Sequence, residues 1–289
     1  MLAVTKPTIH VGTTYDRYEG RVDEDAAIAY ALATNEPNDA YLRGEAVPPL
    51  YTVALVIPAC WEAQRRGTDP GAIRGALGGV HGEHSVLLSN PVRPGMELQW
   101  RATTHSARQT PGGALVTQRI LVSDLQGAPL VEHLWSSFHI RGNIDKGLGP
   151  DLADHTFPAE ARDRAIGAHT FDVAGDQTFR YAGVSTDHVP HSIDDEAARL
   201  EGYPGKILQG LCTFAMCSGA VVRIGADGDP DRLRSLAGRF SSPAFPRQQL
   251  VVDVYDAGRT EDGGRVLAFE ATQNGVTVMK HGRAELSPG

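Results

Sequence analysis

Alternating apolar and polar positions mark strand segments in two groups. Leu98 to His105, Ala114 to Asp124 and Leu130 to Arg141 mix β-branched and aromatic residues with period-two polarity, and Gly or Pro turns separate them. Leu250 to Tyr255, Val266 to Gln273 and Val276 to Leu286 repeat that order, with Asp262-Gly263-Gly264 as a hairpin signal. A helical segment precedes each group, Asp23 to Thr34 in the first and the shorter Thr178 to Val184 in the second. Between helix and strands lies a small-residue apolar run. Ile207 to Val222 is hydrophobic nearly all round, the pattern of a helix inside a core. Leu50 to Arg65 is similar but holds Pro58, which removes a helical hydrogen bond and is expected to kink or break it.

The likeness of the two groups extends to their punctuation. Ser89-Asn90-Pro91-Val92-Arg93-Pro94 matches Ser241-Ser242-Pro243-Ala244-Phe245-Pro246 at an offset of 152, while Gly112-Gly113 matches Gly263-Gly264 and Tyr30-Ala31 matches Tyr181-Ala182 at 151. Separated anchors at nearly one offset identify two homologous halves. A buried helix followed by antiparallel strands, twice over, predicts an α+β architecture. The halves are expected at residues 1–145 and 170–289. Residues 146–169, the end of an Asp-, Gly- and Pro-rich stretch that starts at Gly142, are expected as the linker.

Composition narrows the class. The 289 residues are 41% hydrophobic and carry a formal charge of −8, which predicts a soluble globular chain able to bury about three quarters of its unfolded surface. Of the 27 basic residues 23 are Arg, scattered among acids, so no basic stripe for nucleic acid can be drawn. Cys60, Cys212 and Cys217 are odd in number and lack C-x-x-C spacing, which argues against a disulfide framework and a structural zinc site. Met1 to Val11 has no apolar stretch fit for a signal peptide, and no window approaches ~18 consecutive apolar residues. A cytoplasmic protein without membrane or nucleic-acid partners is the expectation.

The segment Tyr181-Ala182-Gly183-Val184-Ser185-Thr186-Asp187-His188-Val189-Pro190-His191-Ser192-Ile193-Asp194, followed by Ala198, Gly202-Tyr203 and Ile207-Leu208-Gln209-Gly210-Leu211, resembles the signature of the MaoC-like (R)-specific enoyl-CoA hydratase family. The first half resembles that family's N-terminal dehydratase domain through Ala33-Thr34-Asn35-Glu36-Pro37-Asn38-Asp39-Ala40-Tyr41, Val47-Pro48-Pro49 and His81-Gly82-Glu83. The resemblance covers nearly the whole chain. It implies a double hotdog fold, two sheets each wrapping a long helix and joined edge to edge, with a tunnel between the halves for an acyl thioester on CoA or on a carrier protein. It implies no cofactor. A double hotdog already contains its own pseudo-dimer, and either stops there or pairs once more as a homodimer.

In that family an Asp and a His of the motif D-x-N-P-[LIV]-H handle a water that adds at C3 of an enoyl thioester while C2 gains a proton, and amides at a helix N-terminus hold the thioester carbonyl. Aligned without gaps, Asp187 holds the Asp position and Pro190 the Pro. Val189 stands where Asn is expected, His191 where the aliphatic residue is, Ser192 where the His is, and Gln209 replaces the His of a His-Gly pair. Three readings follow: His191 or His188 substitutes for the displaced imidazole; Asp187 serves another reaction, such as cyclisation, decarboxylation or thioester hydrolysis; or the chain only binds. The resemblance thus makes Asp187, His191 and His188 the catalytic candidates, and Gly210, Gln209, Ser192, Val189, Tyr181 and Leu211 the substrate-binding ones.

Each candidate also has a plainer reading. Asp187 suits a turn cap, and Ser192, ahead of Asp194-Asp195-Glu196, suits a helix N-cap rather than a nucleophile, since no G-x-S-x-G elbow surrounds it. Gly210 at the start of a buried helix allows close approach of a ligand to free amides, or simply tight packing. His188, His191 and Asp194 have i, i+3 spacing, but Pro190 interrupts any regular helix and no metal set results. The repeat places Glu36 opposite Asp187 and Tyr41 opposite Ser192; since the family's N-terminal half lacks a working dyad, the resemblance implies that Glu36 is structural or lines the tunnel rather than catalytic. Gly78-Gly79-Val80-His81-Gly82 sits in no βαβ context, which excludes a dinucleotide fingerprint.

Overall fold

The computed structural model of the chain describes residues 6–36 and 38–288. Met1 to Thr5 of the stretch read for a signal peptide, Pro37 of the Ala33–Tyr41 motif and Gly289 lie outside the described residues. The first half runs β1 (Thr14–Arg21), α1 (Glu24–Ala33), α2 (Asp39–Leu42), α3 (Thr52–Gly67), β2 (Gly79–Leu88), β3 (Glu97–Thr110), β4 (Gly113–Asp124) and β5 (Pro129–Ile140). The second runs β6 (Ala165–Asp172), α4 (Gln177–Ser185), α5 (Pro190–Ile193), α6 (Asp195–Leu200), α7 (Gly210–Gly225), β7 (Leu233–Phe240), β8 (Gln249–Arg259), β9 (Arg265–Gln273) and β10 (Val276–Leu286).

The strands form one ten-stranded sheet among the described residues, in the order β1-β3-β4-β5-β2-β7-β10-β9-β8-β6. Read from either end, corresponding strands of the two halves come in the same order. The sequence repeat is therefore a pseudo-twofold whose axis passes between β2 and β7, which pair antiparallel from Glu83↔Arg239 to Leu87↔Ser235. This is the edge-to-edge junction that the resemblance implies.

Each half-sheet wraps a long helix. α7 buries Phe214, Met216, Val221 and others at or near zero exposure, because small and apolar residues surround its axis. Full burial of one such large side chain stabilises by about 2 kcal/mol. α3 continues unbroken from Thr52 to Gly67 through Pro58, contrary to the expected break. Pro58 faces solvent, so water can take the carbonyl that its ring leaves unpaired.

α1 begins and ends where expected: the Asp23 side chain caps it, accepting from Ala26 N, and Thr34 closes it. β1, β2, β6 and β7 were not evident in the polarity pattern, and β6 starts at Ala165, inside the stretch expected as linker. β1 and β6 are edge strands with mostly exposed or half-exposed residues, so no apolar alternation marks them. Cys60, Cys212 and Cys217 are free and buried, and burial pushes their thiol pKa values up.

Candidate active site

A cavity of about 900 Å³ lies along the seam, between β2, β3 and β5 of the first half and the segments around residues 203–213 and 239–244 of the second. Two backbone bonds hold its second-half wall: Ile207 N donates to the His191 carbonyl (3.2 Å) and Leu208 N to the Ala244 carbonyl (2.7 Å). They bring the loop of the Asp187 motif beside the start of α7. Gly210 is the first residue of that helix and lines the cavity. The first intrahelical bonds come from Cys212 N and Thr213 N to the Gln209 carbonyl, so the amides of Gly210 and Leu211 precede them at the positive end of the helix. A β-carbon at residue 210 would stand 3.0 Å from Phe240 Cε1, close enough that the ring would have to give way by a few tenths of an ångström.

Of the residues singled out from sequence, His191 and Gly210 stand in the cavity wall. His191 is half-buried, and its Nδ1 lies 2.8 Å from Glu201 Oε2, a pairing that leaves Nε2 as the second ring nitrogen. His188 is exposed and Val189 half-buried. Asp187, Ser192, Gln209, Leu211 and Tyr181 are buried, and none of them is part of the cavity wall. Asp187 Oδ1, Ser192 Oγ and Gln209 Oε1 have no hydrogen-bond partner, so the ground beneath the start of α7 is polar and unsatisfied. The Gln209 amide donates to the carbonyls of Thr178 (3.0 Å) and Asp187 (3.2 Å). Burial raises the Asp187 pKa, against a smaller opposing pull from the Val189 amide and from His191 and His188.

Ser192 does not cap the following helix. It sits inside the short α5, while Asp194 caps α6 with its carboxylate accepting from Glu196 N (2.7 Å) and Ala197 N (2.9 Å). Asp outcompetes Ser here because it stands next to the first helical residue and carries charge into the positive helix end. No group of His, Cys, Asp and Glu among the described residues is arranged to hold a metal.

The first-half wall supplies groups that sequence reading did not assign to the site. His81 lines the cavity with its ring stacked on Trp135 at 4.2 Å and tilted against Phe240 at 4.7 Å. Glu83, also in the wall, is 4% exposed and joins the halves: Arg108 of β3 donates to one oxygen, while Arg239 of β7 (Nε, 3.1 Å) and His155 (Nε2, 3.6 Å) approach the other. Burial alone would raise its pKa, but His155, Arg108 and Arg239 outweigh that and hold it at about 2. With Lys280, the two arginines make this end of the cavity cationic. A one-residue bulge at Gly82 hid the arrangement, since His81 pairs with Ser137 and Glu83 with Ser136. The bulge shifts the period-two pattern, so His81 and His84 share a face and Glu83 takes the other.

The pseudo-twofold mate of this cavity is nearly closed, at about 40 Å³. Asn90-Pro91-Val92 line it as Ser242-Pro243-Ala244 line the large one, but Pro48, Pro49 and the Arg93–Asp231 ion pair fill the space. Glu36 lies elsewhere, in the wall of a hollow of about 450 Å³ on α7, and its carboxyl packs against Gly219. The repeat therefore builds two equivalent places and leaves one of them large.

Residues 159–279 match the MaoC like domain family. The chain is 28% identical over 214 residues to a probable enoyl-CoA hydratase 2 of Dictyostelium discoideum, covering 72% of this chain and 70% of that protein. It is 28% identical over 274 residues to the 3-hydroxyacyl-thioester dehydratase Y of Mycobacterium tuberculosis, covering 93% and 89%. In structure it is similar to a MaoC-like dehydratase from Phytophthora capsici (TM-score 0.83, 22% identity, 97% and 98% covered). It also matches a Mycobacterium tuberculosis protein described as having a double hotdog fold (TM-score 0.61, 13% identity, 96% of each chain). These structural likenesses establish the double hotdog fold.

Proposed function

From the match of residues 159–279 to the MaoC like domain, we propose that the chain is a MaoC-like hydratase/dehydratase that adds water to, or removes it from, a 2-enoyl/3-hydroxyacyl thioester held in the seam cavity. The observation that carries the reading is the start of α7. Gly210 lines a cavity of about 900 Å³, and its amide and that of Leu211 precede the first intrahelical bonds, so the negative charge that grows on the thioester oxygen would find fixed donors at this helix end. Arg108, Arg239 and Lys280 suit the phosphate of a CoA or carrier-protein arm; the two relatives are named for an enoyl-CoA and for a 3-hydroxyacyl thioester.

Proton transfer is assigned to Asp187 and His191. Asp187 keeps the family's acid position, and its raised pKa favours a carboxyl that gives and retakes a proton. His191 stands in the cavity wall, and Glu201 on its Nδ1 would balance the charge of a protonated ring. His188, exposed, is the lesser candidate. One observation favours a different reaction on the same ligand: buried Ser192 occupies the family's His position, and Asp187 lies outside the cavity wall.

The test is loss of enoyl absorbance with short and medium 2-enoyl-CoA, comparing the wild type with Asp187→Asn, His191→Ala and His188→Ala. Hydration through this pair predicts a fall of about 10²–10⁴-fold for Asp187→Asn and for His191→Ala. No turnover by the wild type at either length would transfer the assignment to another reaction on the thioester.

A further inference from the structure

Behind His81 runs an unbroken row of buried imidazoles. His81 Nε2 lies 3.3 Å from His84 Nδ1, His84 Nε2 lies 3.1 Å from His133 Nδ1, and His133 Nε2 lies 2.9 Å from Thr52 Oγ1. The row starts in the wall of the large cavity and ends at Thr52, in the wall of its small twin across the first half-sheet. Sequence reading attached no chemistry to His84, His133 or Thr52, and the pair beneath α7 does not use them.

We propose that His81 is a further catalytic residue of this cavity, the group that takes the proton of the attacking water, and that His84, His133 and Thr52 are positioning residues that decide which nitrogen of His81 does so. The inference rests on the hydro-lyase reading. A neutral imidazole has one donor and one acceptor nitrogen, so a row of three can point its N–H groups only one way or the other. In the proposed direction the Thr52 hydroxyl accepts from His133 Nε2 at the far end. With every N–H directed toward it, His81 carries its proton on Nε2 and leaves Nδ1 as a base.

Burial keeps the rings neutral at rest, with His81 and His133 brought down to about 3 and His84 lowered well below its usual value by burial first and then by its two neighbours. The Glu83 carbonyl and carboxylate act the other way on His81 and steady it once it gains a proton.

The step balances with water alone. As the water oxygen bonds to C3, its proton passes to His81 Nδ1. The C2=C3 electron pair moves onto the thioester, whose oxygen rests on the amides of Gly210 and Leu211. C2 then takes a proton from the Asp187–His191 side, His81 releases its proton to solvent, and that side regains one from solvent. The division follows from the anchored carbonyl, since C2 is bonded to the carbonyl carbon while C3 is one bond farther from α7.

The experiment compares the wild type with His81→Phe, which keeps a ring on Trp135 but has no nitrogen, using saturating enoyl-CoA. The proposal expects kcat to fall about 10²–10⁴-fold with KM changed less than about threefold. Turnover that survives His81→Phe removes the inference and leaves the hydro-lyase reading standing, whereas no turnover by the wild type removes both. Imidazole ¹⁵N spectra of the wild type provide a second reading that needs no turnover. Three neutral rings with His81 protonated on Nε2, and a His81 Nδ1 signal that shifts on adding saturated hexanoyl-CoA, are expected. Thr52→Val should change the protonation pattern of all three rings. A His81 protonated on Nδ1, or an Nδ1 signal that hexanoyl-CoA does not move, overturns the proposal.

Discussion

Tyr30 and Tyr181, which hold the same place in the two halves, meet each other across the pseudo-twofold with ring centroids 5.9 Å apart. Both are fully buried, and each hydroxyl lacks a well-formed hydrogen bond. The rings hold the halves together and the hydroxyls contribute little. Tyr30→Phe and Tyr181→Phe should therefore change unfolding free energy by less than about 1 kcal/mol, whereas either residue to Ala should cost about 3–5 kcal/mol. Urea titrations measure both. A Phe variant as damaging as the Ala one would show that the hydroxyls form a structural bond.

Glu36 gives a pH dependence of definite sign. Burial raises its pKa from 4.5 to about 8, partly opposed by Arg223, and Oε1 has no partner. The folded chain keeps this carboxyl protonated where the unfolded chain ionises it. Its contribution is fully present below pH 4.5 and is lost as pH rises through 8. Glu36→Gln, nearly isosteric, should raise the melting temperature at pH 8 and leave it unchanged at pH 4. Equal shifts at both values would contradict the burial argument.

The imidazole row has the opposite sign. His84 and His133 stay neutral in the fold far below 6.5, where the unfolded chain takes up protons. Their stabilisation is complete above pH 6.5 and is lost as pH falls below it, for His133 through about 3. At pH 5 the loss is on the order of 2 kcal/mol for each ring. Chemical unfolding at pH 7 and pH 5 checks this, and a chain equally stable at both would show that the rings are already charged or solvated.

Gly210→Ala separates the site from the fold. The added methyl would press on Phe240, which packs against His81, and would crowd the amides at the start of α7. A drop of about 10–100-fold in kcat/KM is expected with no loss of melting temperature, because Ala favours a helix more than Gly does. Full activity in this variant would place the thioester elsewhere.

Glu83→Gln tests the seam. It would leave Arg108 and Arg239 without their shared carboxylate at the edge where β2 meets β7. A loss on the order of 2 kcal/mol is expected, discounted because both arginines are more than a third exposed. Thermal melts at low and high salt would check it. An unchanged melting temperature would mean that backbone pairing alone holds the junction.

The sequence by itself determined the repeat, the α+β class, the strand triplets and the two central helices. Each of these is written in local periodicity and in Pro-Gly punctuation, which neighbouring residues set among themselves. Tertiary structure decided the rest. The bulge at Gly82 put His81 and His84 on one face, Pro58 was tolerated because it faces solvent, and Asp194 capped α6 where Ser192 was expected. Which of two equivalent hollows stays open depended on Pro48, Pro49 and the Arg93–Asp231 pair, residues far apart in the chain. The resemblance located the Asp187 loop, but the imidazole row joins β2, β5 and α3. Only the closed sheet brings residues 52, 81, 84 and 133 within hydrogen-bond distance.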